Sequence, residues 1–128
     1  MLRASYERQM SELDGHIFET LVPADHYLRQ VKGVIDFKVM REKVADRYSE
    51  DQGSPAKDPV MMFKLEFLQY HYNLSDRAVI GRAQVDVSFR FFLELSLADE
   101  LPVSSLLSQF RTRLGVERHQ ALFDEIVA

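Results

Sequence analysis

The sequence predicts an all-α fold, a compact bundle of several helices, and three observations support this prediction. Apolar residues recur at intervals of three and four along most of the chain, which is the spacing of a buried helix face. No stretch alternates apolar and polar residues as a half-buried strand does. Residues that cap helices, mainly Asp and Ser, precede several of the apolar runs. With 128 residues, 46% of them hydrophobic, the chain is long enough to enclose one core.

The first part of the chain is the least patterned. We expect residues 1–24 to form a weakly ordered lead-in and residues 25–128 to form the helical domain. Asp25 and Asp36 are candidate caps for two short helices, which an exposed loop over residues 50–57 would follow. The first helix would bury Leu28, Val31 and Ile35, and the second would bury Phe37, Met40, Val44 and Tyr48 and end near Ser49.

Asp58 followed by Pro59 predicts the start of a third helix, because the carboxylate can cap it and proline suits the first helical position. This helix, over residues 60–74, is apolar around most of its circumference, so we expect it at the centre of the domain. Ser75 and Asp86 are predicted to cap two further helices. Their apolar residues are Ala78, Val79 and Ala83 in the first, and Val87, Phe89, Phe92 and Leu93 in the second.

The stretch that ends at Gly115 carries the clearest suggestion of a function, because it predicts a short helix with two different faces. One face carries Leu106, Leu107, Phe110 and Leu114, the other carries Ser105, Ser108, Gln109 and Thr112, and Arg111 and Arg113 lie on the flanks. Hydroxyl and amide groups can read base edges in the DNA major groove, and guanidinium groups can contact phosphates. We therefore predict a recognition helix for DNA. The alternative is a surface helix whose polar residues only face water.

A recognition helix needs a support helix before it. The preferred pair is residues 86–97 followed by 105–114, which makes the C-terminal half resemble a helix-turn-helix motif. The other pair, residues 75–83 followed by 87–95, is assigned to the core because its second helix carries three phenylalanines. Additional phosphate contacts are predicted for four basic residues, although each lies near acidic residues that could pair with it. These are Lys64, Arg77, Arg82 and Arg90.

Composition limits the function in several ways. The net charge of -4 argues against nucleic-acid binding, because DNA affinity comes largely from positive charge, but a local group of arginines can act on an acidic protein. The absence of cysteine excludes disulfides and thiolate metal sites. The four histidines are too widely separated for a known metal-binding motif, and no glycine-rich phosphate loop is present. We therefore expect no catalytic residue, metal or cofactor within this chain.

Two further expectations concern the wider protein. No apolar stretch is long enough to span a membrane and no secretion signal is evident, so we expect a cytoplasmic protein. The last predicted helix carries Leu122, Phe123, Ile126 and Val127, so its apolar face continues to the final residues. We expect the sequence to be part of a longer protein.

Several short motifs resemble one known family in their order and spacing. They are Asp25-His-Tyr-Leu-Arg29, Tyr48-Ser-Glu50, Gly53-Ser-Pro-Ala-Lys-Asp-Pro59, Phe63-Lys-Leu65, Asn73-Leu-Ser-Asp-Arg77, Gln84-Val-Asp-Val-Ser-Phe-Arg-Phe-Phe92 and Phe110-Arg-Thr-Arg-Leu-Gly115. From about His16 to its end, the chain resembles the N-terminal domain of bacterial insertion-sequence transposases of the InsH type.

The resemblance implies a DNA-binding helical module that positions the terminal inverted repeats of the element. The implied partners are that DNA and a separate DDE catalytic domain, C-terminal to this chain, that uses Mg²⁺. A second copy of the chain is a further candidate partner. The implied location is the nucleoid. A second hypothesis is a dimerisation or interdomain docking module without DNA contact, formed by residues 60–74 and the last helix, and the acidic charge favours it. An enzyme acting by itself is disfavoured because catalytic motifs are absent.

Overall fold

The computed structural model describes residues 12–44 and 58–127, and within these two ranges the chain is helical and contains no strand. The predicted all-α fold is confirmed. In chain order the helices are α1 (Glu12–Leu21), α2 (Tyr27–Val34), α3 (Val39–Lys43), α4 (Pro59–Tyr72), α5 (Asp76–Val85), α6 (Val87–Leu93), α7 (Ser105–Leu114) and α8 (Val116–Val127). None of these helices is long and apolar enough to cross a membrane.

Helix α4 lies at the centre of the domain, as its apolar circumference predicts. Every residue from Pro59 to Leu68 is buried, and α3, α5, α6, α7 and α8 all pack against this helix. The predicted cap is also present, since an Asp58 side-chain oxygen accepts a hydrogen bond from the Val60 amide at 2.8 Å. Asp58 is fully buried and pairs with Arg41 of α3, so one carboxylate both starts α4 and holds the preceding helix.

Two more predicted caps are confirmed. The Ser75 hydroxyl accepts a hydrogen bond from the Ala78 amide at 3.0 Å and starts α5. Asp86 starts α6 by accepting hydrogen bonds from two successive amides, those of Ser88 at 2.9 Å and Phe89 at 3.2 Å. Each of these caps involves only residues two or three positions away, which is why the local sequence predicts them.

The start of α2 differs from the prediction. His26 rather than Asp25 is the cap, and its Nδ1 accepts a hydrogen bond from the Leu28 amide at 3.0 Å. Asp36 is not the cap residue of α3 either, because Lys38 occupies that position. The Asp36 side chain accepts a hydrogen bond from the Lys38 amide at 3.0 Å, just before the helix begins. Phe37, Met40 and Val44 are buried as predicted, whereas Tyr48, the predicted helix end near Ser49 and the loop over residues 50–57 lie outside the described residues.

Part of the expected lead-in is helical in the structure. Residues 12–21 of the expected lead-in form α1, and Phe18 of this helix is buried, with its ring edge-on to Phe91 at a centroid distance of 6.0 Å. The Arg29 guanidinium of α2 donates hydrogen bonds to the carbonyls of Phe18 and Val22, which stabilises the C-terminal end of α1. Phe91 is distant in the sequence and Arg29 lies on the next helix, so the apolar spacing within α1 gives little indication of either partner.

The end of α7 matches its prediction. Gly115 has a φ of 87°, a conformation that favours glycine, and its amide donates to the carbonyls of Arg111 and Thr112. The chain then enters α8 directly, so α7 and α8 form a helical pair. The inner sides of this pair bury Leu107, Phe110, Leu114, Leu122 and Ile126.

Candidate nucleic-acid interface

Helix α7 separates its residues into two faces in the structure. Its inner face is buried against α4, α5 and α8. The side chains exposed on its outer surface are Ser105, Ser108, Gln109, Thr112 and Arg113. Ser104 is the cap residue, but its hydroxyl makes no capping hydrogen bond. The predicted polar surface is therefore present, and hydroxyl, amide and guanidinium groups point outward from it.

Arg111 does not belong to this open surface. Its guanidinium donates to the Asp76 carboxylate of α5 through both terminal nitrogens, at 3.3 and 2.7 Å, and to Glu66 of α4 at 3.2 Å. The sequence hypothesis gives Arg111 a phosphate contact, but in this arrangement its charge is neutralised by two carboxylates of the same chain. A phosphate would have to displace these partners, so Arg111 holds α7 in place instead.

Glu66 is the centre of a polar cluster that the sequence analysis missed. It is only 5% exposed, and its second carboxylate oxygen lies 2.6 Å from Nε2 of His119 on α8. Here the Glu66 cluster denotes Glu66, Asp76, Arg111 and His119. It connects α4, α5, α7 and α8 around the base of the exposed helix. The available signal was a charged residue within the otherwise apolar α4, since a buried carboxylate requires partners.

The charge state of the Glu66 cluster follows from its geometry. Partial burial by itself would raise the pKa of Asp76, but hydrogen bonds from Arg111 and Gln69 outweigh it and hold the pKa below its usual range. The same hydrogen bond from Arg111 to Asp76 is the main reason that the pKa of Arg111 is raised. Both groups therefore stay charged at neutral pH, and the ion pair between α5 and α7 persists.

The three other candidate arginines have different surroundings. Arg90 is 6% exposed, and its guanidinium donates to the carbonyls of Ser96, Asp99 and Gln84, so it closes the loop after α6 and does not face solvent. The Arg82 guanidinium lies over the rings of Tyr72 and Phe89 and pairs with Asp86 at 3.1 Å. Arg77 is exposed on α5. The phosphate contact predicted for Arg90 is therefore wrong, because its guanidinium is buried and its donors bond to carbonyls of the same chain.

The predicted helix-turn-helix geometry differs from the structure in its turn. The two predicted helices correspond to α6 and α7, but residues 94–104 separate them, whereas the motif has a turn of about three or four residues. Helix α6 packs against α1, α2, α4 and α5, while α7 packs against α4, α5 and α8. The exposed helix is therefore supported by α4, α5 and α8 rather than by α6. The apolar α6 is buried, as expected for its phenylalanines.

Replacing Arg90 by alanine should lower the free energy of unfolding by about 2 to 3 kcal/mol, because three carbonyls lose a charged donor. Urea denaturation would measure this loss. Arg77→Ala is the matched control, since an exposed arginine should change stability by no more than about 0.5 kcal/mol. Equal stability of the two variants would contradict a structural role for Arg90.

In residues 12–44 and 58–127, no three His, Asp or Glu side chains come together in a group that could hold a metal ion. The fold and the outer surface of α7 thus define a small all-helical domain with a polar, arginine-containing surface helix. The model of the transposase domain family DUF772 matches residues 16–113, which is most of the chain, and the protein belongs to this family. The resemblance to an insertion-sequence transposase domain is thereby confirmed. Searches among curated proteins and solved structures found no match.

Proposed function

We propose that this domain binds DNA through the outer face of α7 and positions the terminal inverted repeats of an insertion element for a separate DDE catalytic domain. The observation that carries the proposal is the set of polar side chains exposed together on one helix of a transposase-family domain. These are Ser105, Ser108, Gln109, Thr112 and Arg113. The cutting and joining steps belong to the catalytic domain in this proposal, and the chain acts in the cytoplasm, at the nucleoid.

The chemistry of this surface suits the DNA major groove. The Gln109 amide has one acceptor and two donor hydrogens and can bond to the N6 and N7 edge of adenine. Serine and threonine hydroxyls can donate to or accept from any base edge, and Arg113 can hold a phosphate. The ten residues of α7 include no carboxylate that would repel the DNA backbone.

The charge of the domain limits the affinity of this contact. Arg111 of α7 is paired within the domain, and the net charge of the chain is -4, so α7 adds little positive charge to the contact. DNA affinity rises with the number of phosphates that the protein neutralises. The domain should therefore bind its target weakly by itself, and the catalytic domain or a second copy would supply further contacts.

Two single substitutions on α7 test this proposal. Arg113→Ala should weaken binding to every DNA sequence and reduce the slope of log affinity against log salt by about 1. Gln109→Ala should weaken binding to the terminal repeat by about 1 to 3 kcal/mol but leave a scrambled duplex unaffected. Fluorescence anisotropy with both labelled duplexes over a salt series would measure the two effects.

Gln120→Ala supplies the matched control for Gln109→Ala. Gln120 is exposed on α8, and its side-chain amide donates a hydrogen bond to Asp124 of the same helix at 2.8 Å. Its removal should leave the affinities for the terminal repeat and for the scrambled duplex unchanged. Identical binding by the wild type, Gln109→Ala and Arg113→Ala would reject α7 as the DNA-contacting surface.

A second candidate function is docking of another subunit or domain. Most of α4 is buried, so only its C-terminal end can take part, and there a groove of about 490 Å³ runs between α4 and α8. Tyr70 in this groove is 63% exposed and contacts Phe123 edge-on. Sedimentation of the wild type and Tyr70→Ser, with and without terminal-repeat DNA, separates the two functions. A Tyr70-dependent dimer that ignores the DNA would favour docking.

A further inference from the structure

The groove between α4 and α8 combines an aromatic wall with an acidic edge. Tyr70 and Phe123 form the wall, with their ring centroids 5.8 Å apart, and the tyrosine is exposed to solvent. Asp124 follows Phe123 on α8, lines the same groove and is also exposed. Exposed tyrosines are enriched at surfaces that bind other proteins. We refer to this site as the Tyr70 groove.

The Asp124 carboxylate has no positively charged partner among the described residues. It accepts a hydrogen bond from the Gln120 amide at 2.8 Å, but this amide is neutral and leaves the negative charge unbalanced. The other charged groups that line the groove are paired with one another, since Glu66 accepts from Arg111 and also bonds to His119. Asp124 is therefore the charge in the Tyr70 groove that can take an external partner.

Arg77 is an exposed cation that also has no partner in the described part of the chain. It is one of four basic residues outside α7 for which the sequence predicts a phosphate contact. Of the others, Lys64 and Arg90 are buried and bonded internally, and Arg82 pairs with a carboxylate. Arg77 lies in the first turn of α5, about 200° around the helix from the buried Val79, so its side chain points away from the core.

The start of α5 adjoins the Tyr70 groove. Asp76, the residue before Arg77, accepts hydrogen bonds from Gln69 at 2.8 Å and from Arg111 at 2.7 Å, and both of these donors line the groove. One region of the surface thus carries an unpaired cation close to an unpaired anion and an open aromatic ring. A region that contains both halves of a contact can pair with the same region of a second copy about a two-fold axis.

We propose that the Tyr70 groove binds Arg77 of a second copy of this chain, so that two copies form a symmetric dimer. In each half of the contact the guanidinium lies on the Tyr70 ring and pairs with Asp124, since a guanidinium can stack on an aromatic face and donate two bonds to a carboxylate. This inference rests on the docking function and does not depend on DNA binding by α7. It gives Arg77 a protein partner in place of a phosphate, and salt should weaken the dimer by screening its ion pairs.

Charge reversal in the full chain tests this contact. Sedimentation velocity over a concentration series, without DNA, would follow association of the wild type, Arg77→Asp, Asp124→Arg and the double variant R77D/D124R. Each single reversal places like charges opposite each other in both halves of the dimer, so it should weaken association by about tenfold or more. The double variant keeps the wild-type net charge of -4 and restores opposite charges, so it should dimerise like the wild type.

Mixing the two single variants provides an independent readout. In a heterodimer of Arg77→Asp with Asp124→Arg, both halves of the contact bring opposite charges together. Two variants that are monomeric by themselves should therefore associate when they are mixed. Glu100→Arg is the control for net charge, because it changes the charge as Asp124→Arg does but lies in the connection before α7 and does not line the Tyr70 groove. It should leave association unchanged.

The outcomes separate this contact from the two functions proposed above. A wild-type dimer that is lost in both single reversals, and recovered in the double variant and in the mixture, would support the proposal. A dimer that survives both reversals, or that is not recovered, would overturn this contact and leave the docking function intact. A wild type that stays monomeric without DNA would overturn both, while DNA binding by α7 would still be decided by Gln109→Ala and Arg113→Ala.

Discussion

Replacing Glu66 by alanine is expected to lower the free energy of unfolding by about 3 kcal/mol. This carboxylate is 5% exposed and accepts from Arg111 and His119, so its removal leaves two donors without their buried acceptor. Removing one partner of a buried ion pair costs about 3 to 5 kcal/mol of stability. We expect the lower end because Arg111 is partly exposed and keeps its pair with Asp76.

Urea denaturation of Glu66→Ala and of Glu125→Ala provides the comparison. Glu125 pairs with Lys43 on the surface, where an ion pair contributes about 0 to 1 kcal/mol. A double-mutant cycle between Glu66 and His119 would then give the energy of that contact. If Glu66→Ala were no more destabilising than Glu125→Ala, the Glu66 cluster would not hold α7 and α8 as described.

Replacing Phe63 by alanine is expected to destabilise the domain by about 4 kcal/mol. Phe63 is fully buried on α4. Its ring is edge-on to Phe110 of α7, with the ring centroids 5.0 Å apart, and parallel to the ring of His119 of α8, with the centroids 6.2 Å apart. Its removal opens a cavity where three helices meet, and such a change costs about 3 to 5 kcal/mol. Because total stability is about 5 to 15 kcal/mol, this loss would leave a marginally stable fold.

Phe63→Leu should show a smaller loss than Phe63→Ala, because leucine fills part of the space. Tyr70→Ala is the control on the same helix, since its ring is 63% exposed and its removal creates no internal cavity. Thermal and urea unfolding of the three variants would rank them. A Phe63→Ala variant as stable as Tyr70→Ala would show that the junction of α4, α7 and α8 is not the core of the fold.

Both predictions bear on the proposed interface, although neither residue lies on it. The outer face of α7 presents its polar groups only while the inner face stays packed against α4, α5 and α8. The Glu66 cluster provides polar contacts in this packing, and Phe63 provides apolar contacts. Loss of either should reduce DNA binding through the position of α7, whereas Gln109→Ala should reduce it without any change in stability.

The sequence by itself located the features that depend on near neighbours. The caps at Asp58, Ser75 and Asp86 and the end of α7 at Gly115 each involve groups within a few residues, so local composition is enough to predict them. The two faces of α7 and the central position of α4 follow from apolar spacing, because the helical period determines which side chains share a side.

The tertiary structure alone decided what the charged residues do. Arg111 is predicted to contact phosphate, yet it pairs with carboxylates 35 and 45 residues away, on α5 and α4. Arg90 is internal for a similar reason, and α1 is ordered by contacts from α2 and α6. A charge in a protein is stabilised by whichever partners the fold brings close, and those partners are set by packing between helices rather than by neighbours along the chain.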